Sequence, residues 1–226
     1  MDIAVDALRI SPKYSSKDWE ALAVNNPSHW AQAADIVRDR LEGRFLRFAN
    51  NWLPDPFSGF IILAVDSLLA ETIQQFRAGE TDGAGKSERY IKQFLAGPRF
   101  QPDFDKHARN RFYKDIRCGL LHQAEAKEMW LVRRNQKTML SQVSTGKGYV
   151  LDVKRFHAAV CLSLDDYLRD IVHPSQGGLR VNLWKKMEQI CATRTARGLL
   201  YEANGGTANG TRPPNNSLHP TASGGG

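Results

Sequence analysis

Cysteine is scarce in this sequence: three of 226 residues, Cys118, Cys161 and Cys191, with no C-x-x-C pair among them. That excludes the stapled framework of small secreted domains and leaves free thiols, as expected of a reducing compartment. Long apolar runs are missing as well. The longest, Phe60 to Val65, is broken by Asp66, far short of the roughly 18 residues a membrane-spanning helix needs. The opening segment, MDIAVDALRI, has neither the basic start nor the apolar stretch of a secretory signal, so a cytoplasmic protein without a membrane partner is expected. There is no G-x-S-x-G elbow, and no serine stands at recognisable spacing from both a histidine and an acid, which removes the common serine hydrolases.

What is present suits a globular domain. Hydrophobic residues make up 42% and the mean hydropathy is −0.45, and the length fits one domain with appendages better than two domains. The net charge of +7 is unevenly spread. Residues 1–105 hold 12 basic and 15 acidic groups, residues 106–137 hold 9 and 3, and the remainder 10 and 6. The positive field is concentrated in one segment, which suits a polyanion such as RNA or, more plainly, a solvated helix face.

The apolar spacing predicts a mainly α fold. Trp30, Ala34, Val37, Leu41, Phe45, Phe48 and Trp52 recur at steps of three or four, behind a possible Ser28 cap, and Pro54 ends the helix. Ser58 to Ala78 is apolar almost all round, marking a central helix that stops at Gly79. A short helix follows at Ser87 to Ala96, and another runs through Phe112, Ile116 and Leu120, capped by Asp103 or Asp105. The runs MWLVRR, TMLSQV and YVLDV are β-prone, and the turn Ser144 to Gly148 joins the last two in a hairpin within about 129–153. Helix resumes near Lys154 and again over 182–202. The domain reading is an N-terminal extension (1–27), a helical domain (28–202) and a disordered Gly/Asn/Thr/Pro/Ser tail (203–226).

Few motifs carry chemistry. GAGKS at 83–87 lacks both the earlier glycine of a phosphate loop, where Glu80 stands, and an upstream strand, so it reads as a turn. Cys118 with His122 and His157 with Cys161 are i, i+4 pairs that could in principle meet on zinc, but neither has a short knuckle and Cys161 lies in an apolar run; no metal site is expected. Asp66 and Glu71 are five residues apart on one helix, about 140°, too far round to form one catalytic pair. Glu71 is retained as a supporting partner for a nearby arginine.

The segment FYKDIRCGLLHQAEAK stands out. Arg117, four residues, then His122 close a helix rich in Arg and Lys. This resembles the R-x4-6-H motif of the HEPN superfamily, small α-helical bundles that include many metal-independent endoribonucleases. The order of elements over residues 28–173 is similar too, so the expected fold is a HEPN-like antiparallel helical bundle with a small β-hairpin before the last core helix. In that family a polar residue commonly follows the arginine; here Cys118 does.

The resemblance implies an endoribonuclease of stress response, toxin–antitoxin or phage defence, needing no cofactor. The chemistry is sound: histidine titrates near neutrality, and a guanidinium offers planar donors to phosphoryl oxygens. His122 would be general acid or base and Arg117 the phosphate anchor, with Lys106, Arg109, Arg111, Lys114, Arg133 and Arg134 steering the RNA. The family's two-fold pairing implies a homodimer, with an antitoxin as a possible protein partner. The alternative is a catalytically inactive RNA- or protein-binding module. The plain reading of the pair is that Arg117 ion-pairs with Asp66, Glu71 or the neighbourhood of Asp115, and His122 caps a helix C-terminus.

Overall fold

A computed structural model describes residues 8–203, apart from 129, 145 and 174, with side chains up to residue 192. The chain is mainly helical, with one small sheet. After α1 (Ser16–Glu20) come α2 (His29–Leu41), a π-helical segment (Glu42–Leu46) and α3 (Arg47–Trp52), which run on as one helix. The central α4 (Gly59–Ala78) is followed by α5 (Ser87–Phe94), then by α6 (Lys106–Arg111), a second π segment (Phe112–Arg117) and α7 (Cys118–Gln123). Strands β1 (Trp130–Arg133), β2 (Leu140–Gln142) and β3 (Tyr149–Asp152) precede α8 (Val153–Val172) and α9 (Gly177–Ala203).

The π segments answer to the sequence. Ala108, Phe112, Ile116 and Leu120 are buried at intervals of four, and a 3.6-residue helix would carry such a stripe round by about 40° each turn. Wider turns cancel that drift and keep all four side chains inward. The first π segment shifts the register of the long helix in the same way. Leu46 and Ala49 go inside, while Phe48 and Trp52, which strict helical spacing assigns to the core, are 42% and 39% exposed.

Other ends follow their residues. Asp105 accepts from Ala108 N at 2.7 Å and Asp152 from Arg155 N at 2.9 Å, so both helices start on carboxylate caps. Ser28 does not cap α2; its hydroxyl goes to Asn26 Oδ1 at 2.7 Å. Gly79 closes α4 at φ 63°, the left-handed conformation glycine adopts without strain. The β2–β3 hairpin forms, and β1 joins it as a third strand, parallel to β3, in the order β1-β3-β2. The expected two-stranded unit is therefore a three-stranded sheet.

Helix α4 sits at the centre, packed on α5, α8 and α9. By length and composition alone it could cross a membrane, at a hydropathy of 1.2, but half of it is buried within the fold, as befits the core helix of a bundle. Phe100, Phe104, Phe112 and Phe156 stack ring against ring and join α6 and its π segment to α8. Residues 8–27 are more than an extension: Ile10, Trp19 and Leu22 are buried, and Trp19 packs 4.9 Å from Trp184 of α9. The tail expected at 203–226 lies, but for residue 203, outside the described residues.

Gly119 is held by a close approach. A Cβ there would stand 2.4 Å from the Glu125 carbonyl oxygen, where the chain folds back after α7. Gly119→Ala should destabilise the fold by about 1–3 kcal/mol through overpacking, measured as a lower denaturation midpoint. An unchanged midpoint would mean that this turn opens freely.

Candidate functional site

Arg117 stands where the second π segment hands over to α7. Its Nη2 donates to Glu71 Oε2 at 3.0 Å, and its guanidinium lies 5.9 Å from the centre of the Tyr113 ring. Glu71 is itself held in place, accepting from Ser87 Oγ and, at 3.3 Å, from Gln75 Nε2. Gln75 Oε1 in turn accepts from Lys186 Nζ at 3.1 Å. The paired acid thus draws together α4, α5, α7 and α9. Burial, with Cys118 adding to it, raises the Tyr113 phenol above its ordinary value.

Arg117 and Glu71 line an apolar groove of about 390 Å³ with Phe45, Val65, Leu68 and Leu121. His122 is exposed and makes no hydrogen bond or ion pair among the described residues. Arg117 and Leu121, one turn apart, share the groove, while His122 lies one residue further round. Five residues of α-helix separate Arg117 from His122 by about 140°, so the chain does not itself bring the two together. The π segment ends at Arg117, and α7 from Cys118 onward is regular α-helix, so this separation stays in place.

The basic residues divide into open and engaged. Lys106, Lys114 and Arg133 are exposed and Arg109 is half-buried. Arg111 is not a free cation: its Nε is 2.7 Å from the buried Asp115 Oδ2, which also accepts from Trp130 Nε1 at 3.1 Å. Arg134 reaches the Leu53 carbonyl, the Asp55 carbonyl at 2.7 Å and Ser58 Oγ at 2.8 Å, tying the sheet to the loop before α4. Phe112 and Trp130 are core side chains.

A second cluster lies elsewhere in the fold. Asp66 on α4 and His157 on α8, both fully buried, meet at 2.7 Å between Oδ1 and Nδ1. His157 Nε2 lies 3.1 Å from Asn50 Oδ1 and 3.6 Å from Cys161 Sγ. Among the described residues, Asp66 Oδ2 has no hydrogen-bond partner. Burial disfavours the charged imidazole, but the Asp66 hydrogen bond and Cys161 outweigh it and raise His157 to about 10. Burial likewise raises the Asp66 carboxyl, against the pull of His157. Both directions describe one proton retained by the pair well above neutrality. Spacing reveals His157 with Cys161 as an i, i+4 pair, yet their partner Asp66 is 91 residues away, where no local pattern could find it. The four zinc-candidate side chains do not meet, and the described residues contain no cluster of three or more metal-ligating groups.

Comparison with protein-family models, curated proteins and solved structures finds no match to this chain.

Proposed function

We propose that this protein is a HEPN-like RNA-cleaving enzyme that works as a symmetric dimer. One observation supports this best: the groove beside Arg117 continues into an exposed apolar face of α4. Ile61 and Leu68 of α4 are each nearly half exposed, Phe57, two residues before the helix, is 93% exposed, and Leu121 from α7 shares the groove with Leu68. Contiguous apolar surface of this kind on a polar protein marks an interface. A second copy suits it, because the rim carries both Glu71 and Arg117 and so offers opposite charges to its own image across a two-fold axis.

In that dimer the two α7 helices approach each other, and His122 of one protomer can face Arg117 of the other. Arg117 binds the phosphoryl oxygens, the 2′-hydroxyl attacks phosphorus, and the bond to the 5′-oxygen breaks. His122 moves the proton to or from these oxygens. Lys106, Lys114 and Arg133 remain open to the strand, and Arg111 and Arg134 hold the scaffold.

The test is incubation of the purified protein with single-stranded RNA in EDTA. Products ending in a 2′,3′-cyclic phosphate are expected, together with a dimer by sedimentation. Leu68→Glu should yield folded monomer without cleavage. RNA binding without cleavage would move the reading to the inactive binding module, which the Glu71 ion pair on Arg117 favours.

A further inference from the structure

A groove larger than the one at Arg117 lies elsewhere in the fold. It has a volume of about 750 Å³ and opens between the long α2–α3 helix and α8, and Cys161 lines it along with Asn50, Asn51, Arg47 and Asp165. Behind Cys161 stands the buried His157–Asp66 pair. This is the order nucleophilic catalysis requires: a thiol on an open cavity, an imidazole within reach of it, and a carboxylate fixing the other ring nitrogen. We propose that Cys161, His157 and Asp66 form a nucleophilic cysteine site that takes an acyl group from an ester or thioester bound in this groove.

The hydrogen-bond pattern specifies the resting state. His157 Nδ1 faces Asp66, and Nε2 faces two acceptors, Asn50 Oδ1 and the Cys161 sulfur. Nε2 therefore carries a hydrogen, and its N–H is directed between these atoms, toward the sulfur, whose anion is the form that attacks. Cys161 is half-buried and lines the open groove, whereas Cys191 is buried in the core. Asp66 is a positioning residue, reaching the reaction only through the ring it orients.

The reaction balances with water alone. Cys161 Sγ attacks the carbonyl carbon, a C–S bond forms, and the bond to the leaving oxygen or sulfur breaks. The leaving group takes the Nε2 proton of His157. Neutral His157 then removes a proton from water, the hydroxide cleaves the C–S bond, and the carboxylic acid departs, restoring thiolate and imidazolium. Asn50 and Asn51, on the wall of the groove, are the side-chain amides placed to hold the carbonyl oxygen.

The probe is p-nitrophenyl acetate with the full chain. The expected result is a burst of nitrophenolate and an acetyl group mapped to Cys161 by peptide mass spectrometry, both lost in Cys161→Ser and kept in Cys118→Ser. His157→Gln should slow acylation about a hundredfold at pH 6, with the rate recovering as pH rises toward the pKa of an ordinary thiol near 8.5. A merely structural His157 would not shift that profile. If folded His157→Gln acylates at the wild-type rate, or if Cys161 is acylated no faster than Cys118, the proposal is overturned. Neither readout depends on RNA.

Discussion

His157→Ala is expected to cost about 3–5 kcal/mol of unfolding free energy, because it strands the Asp66 carboxyl in the core. Asp66 is fully buried and, among the described residues, its Oδ2 already lacks a partner, so loss of the imidazole leaves both oxygens without one. Urea unfolding at pH 7 measures the effect. A loss under about 1 kcal/mol would mean that Asp66 finds water or protonates at little cost. Asp66→Asn with His157→Gln retains a neutral hydrogen bond between α4 and α8 and should lose much less.

The same pair sets a pH dependence with a definite sign. In the unfolded chain His157 releases its proton near its ordinary 6.5, while in the folded chain it holds it to about 10. Below the first value both states are protonated and the stabilisation is complete. Between the two, the folded state binds more protons, so stability falls with rising pH, by at most about 1.4 kcal/mol per pH unit. Above about 10 the contribution is gone. The Asp66→Asn/His157→Gln double variant should lack this slope, and a wild-type stability that stays flat between pH 7 and 9 would show that the pair rests without its extra proton.

Helices whose apolar residues keep a regular step were legible in the sequence: α4 between Ser58 and Gly79, and α8 from its Asp152 cap onward, begin and end within a residue or two of the pattern. The π segments were not. A step of four looks, over one or two turns, like either helix face, and only the packing of Ala108, Phe112, Ile116 and Leu120 on one core decides for the wider turn. That shift is why Phe48 and Trp52 stand outside. Strand β1 was legible as a run but not in its partner, since a parallel pairing with β3 is set by the path of the chain. The i, i+4 spacing of Arg111 and Asp115 was there to be read, whereas the motif shows Arg117 and His122 but neither the Glu71 ion pair nor the ties of Arg134, whose acceptors come from distant segments. Local spacing carries periodicity, and these pairings are tertiary.

The separation of Arg117 from His122 makes a mixing experiment the decisive one for RNA cleavage. Alone, His122→Ala should lower the rate by two to four orders of magnitude, the usual share of a general acid or base, and Arg117→Ala should do comparable damage by removing the cation from the phosphate. Since about 140° of helix divides the two side chains, a working site must draw one from each protomer. Mixing the two inactive variants under conditions where dimers exchange then forms heterodimers in which one site has both its arginine and its histidine. Activity should return to about a quarter of wild type, half the dimers each carrying one competent site. If the mixture stays inactive while sedimentation shows exchange, a shared site is excluded. Glu71→Gln separates the remaining possibilities: freeing Arg117 from its carboxylate should raise affinity for RNA phosphates, whereas a purely structural ion pair would show itself as lost stability with RNA affinity unmoved.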